Sequence, residues 1–242
     1  MMLIKGVELG RAPRIAGVVV DGIKSPAIKS ALKTGVDLLE LRIDTFRDRR
    51  IGPLTEAVKR IEEAGVPLIV TVRSQKEGGK FPIPDSDRIA IFNALMPFAD
   101  IVDIELSSSE RLKNVIKSAG RLNKKVIISY HNFNSTPGVG KLQDIISKGR
   151  SAGGDAVKIA TFARSRNDLV RLTRILIDSR DSIVIAMGGY GMYSRVFFPM
   201  LGSLLTYGSI TGDTAPGQLP LRIIKRQFEL YGFPSSGPVA GA

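Results

Sequence analysis

Apolar residues fall in short runs at a regular beat along the chain: 15–20, 38–43, 68–72, 101–106, 126–129, 156–159, 183–186 and 204–207. Rich in Val, Ile and Leu, these runs read as strands covered on both faces. Stretches with helical spacing lie between them, such as Leu169, Leu172 and Leu176 after a candidate cap at Asn167, and Val115 and Ile116 after the serine run 107–109. Eight strand–helix units of about thirty residues each predict a (β/α)8 TIM barrel, an α/β fold. A doubly wound open sheet is the competing architecture. It would more often carry a glycine-rich phosphate turn after its first strand, and none follows Val20.

Residues 1–14 are not needed for eight units and are expected to form a short N-terminal hairpin or arm closing the barrel's lower end. Residues 232–242 (GFPSSGPVAGA) have the composition of a flexible tail. The Gly and Pro clusters coincide with the loops between units, so 1–242 is expected to be a single barrel domain. The loop 209–218 (SITGDTAPGQ) stands out as a moving lid.

Alternation then sorts the polar residues within the strands. In AVKIATF (156–162), Val157 and Ile159 share one face and Lys158 takes the other, the barrel interior. A buried amine there is either a lysine reaching solvent along its own stem or a reactive group at the bottom of a pocket. Glu40 and Arg42 alternate with Leu39, Leu41 and Ile43; Arg73 follows the third strand, and Glu77 lies in the next turn. The fourth strand carries Asp103 and Glu105, the fifth ends at Ser129, Tyr130 and His131, and the seventh leads through Met187 and the Gly188–Gly189 turn to Arg195. Six strands of eight thus send ionisable groups to the end where barrel active sites form. Asp103 and Glu105 are expected to make an internal salt-bridge layer with Arg42 or Arg73, Gly188 and Gly189 to permit a positive-φ turn, Tyr130 to pack outward and Met187 to form a wall. His131, the single histidine, is suited by its ordinary pKa to shuttle protons near neutral pH.

Composition narrows the chemistry. With no cysteine and one histidine, disulfide frameworks, thiolate metal sites and histidine cages are excluded. No apolar run approaches the roughly 18 residues of a membrane span, and no charged segment leads into an apolar leader, so a cytoplasmic protein without membrane partners is expected. The net charge of +12 is scattered over many helices without interleaved aromatics, which favours a small anionic substrate over nucleic acid. A nucleophilic lysine must shed its proton, and burial together with Arg42, Arg73 and Arg195 around the same mouth would favour the neutral amine. Such an amine condenses with a ketone to an iminium ion that acidifies the neighbouring carbon. His131 is placed to take that proton, with Glu77 or Glu40 orienting its ring and an arginine holding a substrate carboxylate.

Seven segments in order, LLELRIDTF (38–46), VTVRSQKEGG (70–79), VDIELS (102–107), VIISYHNF (126–133), AVKIATF (156–162), IAMGGYGMYSR (185–195) and YGSITGDTAPGQL (207–219), closely resemble type I 3-dehydroquinate dehydratase, over about four fifths of the chain. The resemblance implies dehydration of 3-dehydroquinate to 3-dehydroshikimate in the shikimate pathway, without metal or organic cofactor, by a dimer. It implies that Lys158 forms the imine, that His131 is the general acid and base, and that Glu77 positions it. Arg195 matches the residue pairing with the substrate carboxylate, and Glu40, Arg42, Arg73, Thr214, Ala215 and Gln218 match those contacting its hydroxyls or closing over it. Thr214 stands where a serine is usual, Ile185 where methionine is common, and Tyr207 where phenylalanine is usual; the last is expected to matter little. A class I aldolase is the neighbouring enzyme reading, though no glycine-rich phosphate cup is evident beyond the Gly188–Gly191 turn.

Overall fold

The computed structural model describes residues 2–212 and 215–233. It opens with a two-stranded antiparallel hairpin, β1 (Met2–Ile4) and β2 (Val7–Leu9). The two residues between them, Lys5 and Gly6, both have positive φ, the backbone a tight hairpin of this twist requires. The alternating units follow: β3 (Ile15–Val19), α1 (Ser25–Thr34), β4 (Leu38–Arg42), α2 (Ile51–Glu62), β5 (Leu68–Thr71), α3 (Asp85–Leu95), β6 (Ile101–Glu105) and α4 (Lys113–Arg121). The second half runs β7 (Lys125–Asn132), α5 (Val139–Ser151), β8 (Ala156–Phe162), α6 (Arg166–Asp178), β9 (Ser182–Met187), α7 (Met192–Met200), β10 (Thr206–Ser209), the two-residue β11 (Leu219–Pro220) and α8 (Leu221–Leu230).

The strands form one parallel sheet in the order β11-β10-β3-β4-β5-β6-β7-β8-β9, curled into a TIM-barrel-like fold as the apolar beat predicts. Among the described residues no ladder joins β9 to β10; that seam is bridged by the Leu204 amide donating to the Ser182 carbonyl at 3.0 Å. The ninth strand, β11, is the end of the long loop after β10 and carries no unit of its own.

Alternation divides the inward side chains from those under the helices. Leu38, Ile69, Ile101, Ile127, Ile183 and Leu205 fill the interior at the N-terminal end of the strands, together with Met2, Ile4 and Leu9 of the hairpin. The hairpin therefore plugs the lower end, as expected. Outward-facing Leu39, Leu41, Val70, Val102, Ile104 and Ile128 pack under the helices, with Val58, Phe92 and Ile224 among the helical partners.

Two local expectations are corrected. The cap of α6 is Ser165, not Asn167: the Ser165 hydroxyl accepts from the Asp168 amide and the Asp168 carboxylate accepts from the Ser165 amide, a capping box that starts the helix at Arg166. Of the glycine pair after β9, Gly188 alone has positive φ, at 84°, while Gly189 begins a turn of 3-10 helix. The loop after β10 docks on this turn, with Gly188 N–H donating to the Pro216 carbonyl. Gly217, at φ 71°, fits there because a Cβ would stand 2.4 Å from the Gly188 carbonyl oxygen. The proposed tail residues 234–242 lie outside the described residues.

Candidate active site

The pocket lies at the C-terminal end of the strands. Glu40, Arg42, Arg73, Glu77, His131, Lys158, Arg195, Ala215 and Gln218 all line it, so every candidate that lies among the described residues is brought to one cavity. Thr214, the remaining candidate, lies outside the described residues.

Lys158 stands in the middle of β8 with its side chain almost wholly buried. Its Nζ donates to Asp103 Oδ2 at 3.1 Å, lies 3.7 Å from Glu40 Oε1, and sits 4.0 Å from the centroid of the Tyr207 ring. The expectation that Arg42, Arg73 and Arg195 crowd the amine with positive charge leaves out its nearest neighbours, which are acids. The arginines are present, but Arg42 is held by both oxygens of Asp44 at 2.9 Å, and Arg73 donates to Asp103 at 2.9 Å and to Glu105 at 3.1 Å. The amine thus faces carboxylates, with the guanidinium charges behind them.

The salt-bridge layer predicted for Asp103 and Glu105 forms with Arg73 rather than Arg42. Burial alone would raise the Asp103 carboxyl, but the Arg73 and Lys158 charges outweigh it and hold it well below the usual carboxylate range. Burial likewise pulls the Arg73 guanidinium down, and Asp103 and Glu105 outweigh that and raise it. Asp103 is also the closest acid to the lysine amine.

His131 is on the neighbouring strand β7, one inward position beyond Ser129, which pairs with Lys158 across the sheet. Its Nδ1 is 3.1 Å from Glu77 Oε2, and its backbone N–H donates to the same oxygen at 2.9 Å. The other Glu77 oxygen accepts from the Ser107 hydroxyl at 2.6 Å, so the carboxylate is gripped from both sides. Burial, then the Arg73 and Lys158 charges, push the His131 imidazole well below its ordinary pKa of 6.5. Burial raises the Glu77 carboxyl, against the hydrogen bond from Ser107 and the charge of Arg73.

Several residues that matter here were not singled out by the sequence. Asp44, fully buried just after β4, takes the Arg42 fork and also accepts from the backbone N–H groups of Arg73 and Lys80. Arg88 of α3, also buried, ties the Glu105 carboxylate to the Val72 carbonyl and to Ser108. Thr71 donates to Glu40 at 2.9 Å. Tyr130 packs outward among the α5–α6 core and Met187 lines the pocket wall, both as expected.

The type I 3-dehydroquinase family model matches residues 24–233. The 3-dehydroquinate dehydratase of Methanosarcina barkeri is 35% identical, over 95% of this chain and 99% of its own; that of Aquifex aeolicus is 39% identical over 81% and 89%. The Aquifex aeolicus crystal structure superposes with a TM-score of 0.83 at 35% identity, covering 90% of this chain and 99% of that one. The Clostridium difficile type I enzyme, solved with covalent modified comenic acid, superposes with a TM-score of 0.86 at 26% identity, covering 95% and 97%. The chain belongs to the type I 3-dehydroquinase family, the 3-dehydroquinate dehydratases.

Proposed function

We propose that the chain dehydrates 3-dehydroquinate through a Schiff base on Lys158, with His131 carrying the protons. The observation that supports this most is the setting of the amine: a lysine in mid-strand at the floor of a pocket, one strand from the chain's single imidazole.

The Lys158 amine adds to the ring ketone, and loss of water leaves an iminium. That species is a protonated Schiff base, and Asp103 and Glu40 stabilise its positive charge electrostatically. The carboxylates thus favour the intermediate, while the amine must pass a proton on before it attacks. His131, kept neutral near pH 7 by burial and the Arg73 and Lys158 charges, is available to take that proton and to return it to the carbinolamine hydroxyl as it leaves as water, which frees the ring for the next step. Glu77 against Nδ1 selects the tautomer with the proton on Nδ1 and directs the Nε2 lone pair into the pocket. His131 then removes the proton from the carbon next to the imine and returns it to the hydroxyl that leaves from the following carbon. Hydrolysis of the remaining imine frees the enone product and the lysine, for a net loss of one water.

Arg195 pairs with the substrate carboxylate; its buried guanidinium on α7 is in keeping with this. Arg42 and Arg73, fixed by Asp44, Asp103 and Glu105, present rigid donors to the substrate hydroxyls, as does Gln218, while Thr214 and Ala215 close over it. The covalent ligand named for the Clostridium difficile enzyme accords with a nucleophile in this family. The chain acts in the cytoplasm as a homodimer. A stripe of exposed apolar residues, Tyr193 and Phe197 on α7 and Leu201 just after it, is available for pairing, and the dimer is checked by light scattering of the wild type and Phe197→Glu.

Sodium borohydride added with 3-dehydroquinate should fix a mass adduct on Lys158, while the ultraviolet absorbance of the enone reports turnover. Turnover with the adduct on another residue would refute the assignment.

A further inference from the structure

Tyr207 sits in the pocket wall with its side chain 97% buried by its 3% exposure, and its hydroxyl has no hydrogen-bond partner among the described residues. Most of the polar groups around it are already engaged: Thr71 with Glu40, Arg42 with Asp44, Arg73 with Asp103, Glu105 and Ser129. A buried hydroxyl left without a partner destabilises the fold, so its retention calls for a reason, and in a pocket wall a ligand that completes the bond supplies one. A phenylalanine would fill the same space, and keep the ring face 4.0 Å from the Lys158 amine, without that penalty. The position is interior by alternation, since Tyr207 is on the face of β10 that joins Ala16, Val18, Ala160 and Ile185.

We propose that the Tyr207 hydroxyl is a substrate-binding and specificity-determining group, donating a hydrogen bond to an oxygen of the polyhydroxylated ketone held over Lys158. This rests on the reading of Lys158 as the residue that bonds the substrate. Burial first, and the Glu40 and Asp103 charges after it, push the phenol well above its usual range, so it keeps its proton and acts as a donor. A donor that serves binding rather than bond-making acts on the ground state and transition state alike, and so shows in KM more than in kcat.

The test is Tyr207→Phe, which removes one oxygen and keeps the ring. Steady-state turnover of 3-dehydroquinate should show KM raised by about threefold to tenfold, the range of one neutral hydrogen bond, with kcat little changed and Tm unchanged or higher. A kcat/KM within about twofold of wild type overturns the proposal, and so does a Tm that falls, which would give the hydroxyl a role in the fold. Borohydride trapping of both proteins separates the two readings. If wild-type turnover leaves no adduct on Lys158, the lysine assignment fails while the KM comparison still decides Tyr207. If both proteins are trapped on Lys158 and KM is the same, Tyr207 alone is refuted.

Discussion

The two ends of the barrel interior are built from the same strands by the same alternation, yet from opposite materials. At the N-terminal end, Leu38, Ile69, Ile101, Ile127, Ile183 and Leu205 make an apolar tier closed by the hairpin. Nearer the C-terminal end, the barrel strands carry Glu40, Thr71, Asp103, Ser129 and Lys158, buried almost as completely, and His131 with its side chain 9% exposed. The lower tier gains stability from removing hydrocarbon from water. The upper tier buries charges whose desolvation offsets much of their attraction, so its ion pairs add little net stability but fix geometry. The lower half holds the barrel together, and the upper half holds a few atoms in register.

If that division is right, substitutions in the upper tier should strike activity first. Lys158→Ala carries the largest expected effect: loss of the borohydride adduct and a fall in kcat of about 10⁴-fold or more, as for removal of a covalent nucleophile. Residual turnover within tenfold of wild type would break the division at its centre. His131→Ala comes next, with kcat reduced by roughly 10² to 10⁴, the usual contribution of a general acid or base. Some adduct should still form on Lys158, which mass spectrometry of the trapped protein would detect.

The sequence shows which residues point inward and at what height, because alternation and the beat of the strands fix both. That is why the barrel, the plug of its lower end and the strand-borne pocket residues Glu40, Arg42, Lys158 and His131 were legible, whereas Ala215 and Gln218 were named only through the family resemblance. It does not show who pairs with whom. Asp103 and Glu105 had two candidate arginines, and the choice of Arg73 depends on the distance across the sheet between β5 and β6. Asp44 and Ser107 lie in single turns of 3-10 helix after strands, where no periodicity marks a side chain as inward, so their grip on Arg42 and Glu77 was hidden. The acids beside the amine were missed for a related reason, although Arg42, Arg73 and Arg195 do line the pocket. A formal charge of +12 counts residues, whereas the field at Lys158 depends on the two carboxylates nearest to it.

Asp103→Ala joins the two halves of the comparison. It leaves Arg73 without one partner and Lys158 without its nearest acid, and breaking a buried pair in this way costs about 3–5 kcal/mol. Urea unfolding should show that loss together with a fall in kcat. A variant as stable as wild type would mean the upper tier carries no strain of desolvation. Ile69→Ala is the counterpart below: about 2–5 kcal/mol of stability lost to a cavity, with kcat retained in the folded fraction. A kcat that falls with stability would show the tiers are mechanically coupled.

The smallest effect expected is in pH dependence, and it follows from the burial of a single ring. His131 has a folded-state pKa below 6.5, so as pH falls through 6.5 the unfolded chain takes up a proton that the folded chain refuses. The group's contribution is fully present above pH 6.5 and is lost between 6.5 and the depressed value, each unit of depression being worth about 1.36 kcal/mol. Tm measured between about pH 8 and pH 5 should therefore fall more steeply in the wild type than in His131→Ala, the histidine's ordinary titration range lying inside that window. The acid limb of kcat/KM should lie below pH 6.5 for the same reason. A limb above 6.5, or parallel Tm curves, would mean that the imidazole is charged in the free protein. Proton removal by His131 would then require prior loss of that proton, and the upper tier would be poised differently from its geometry.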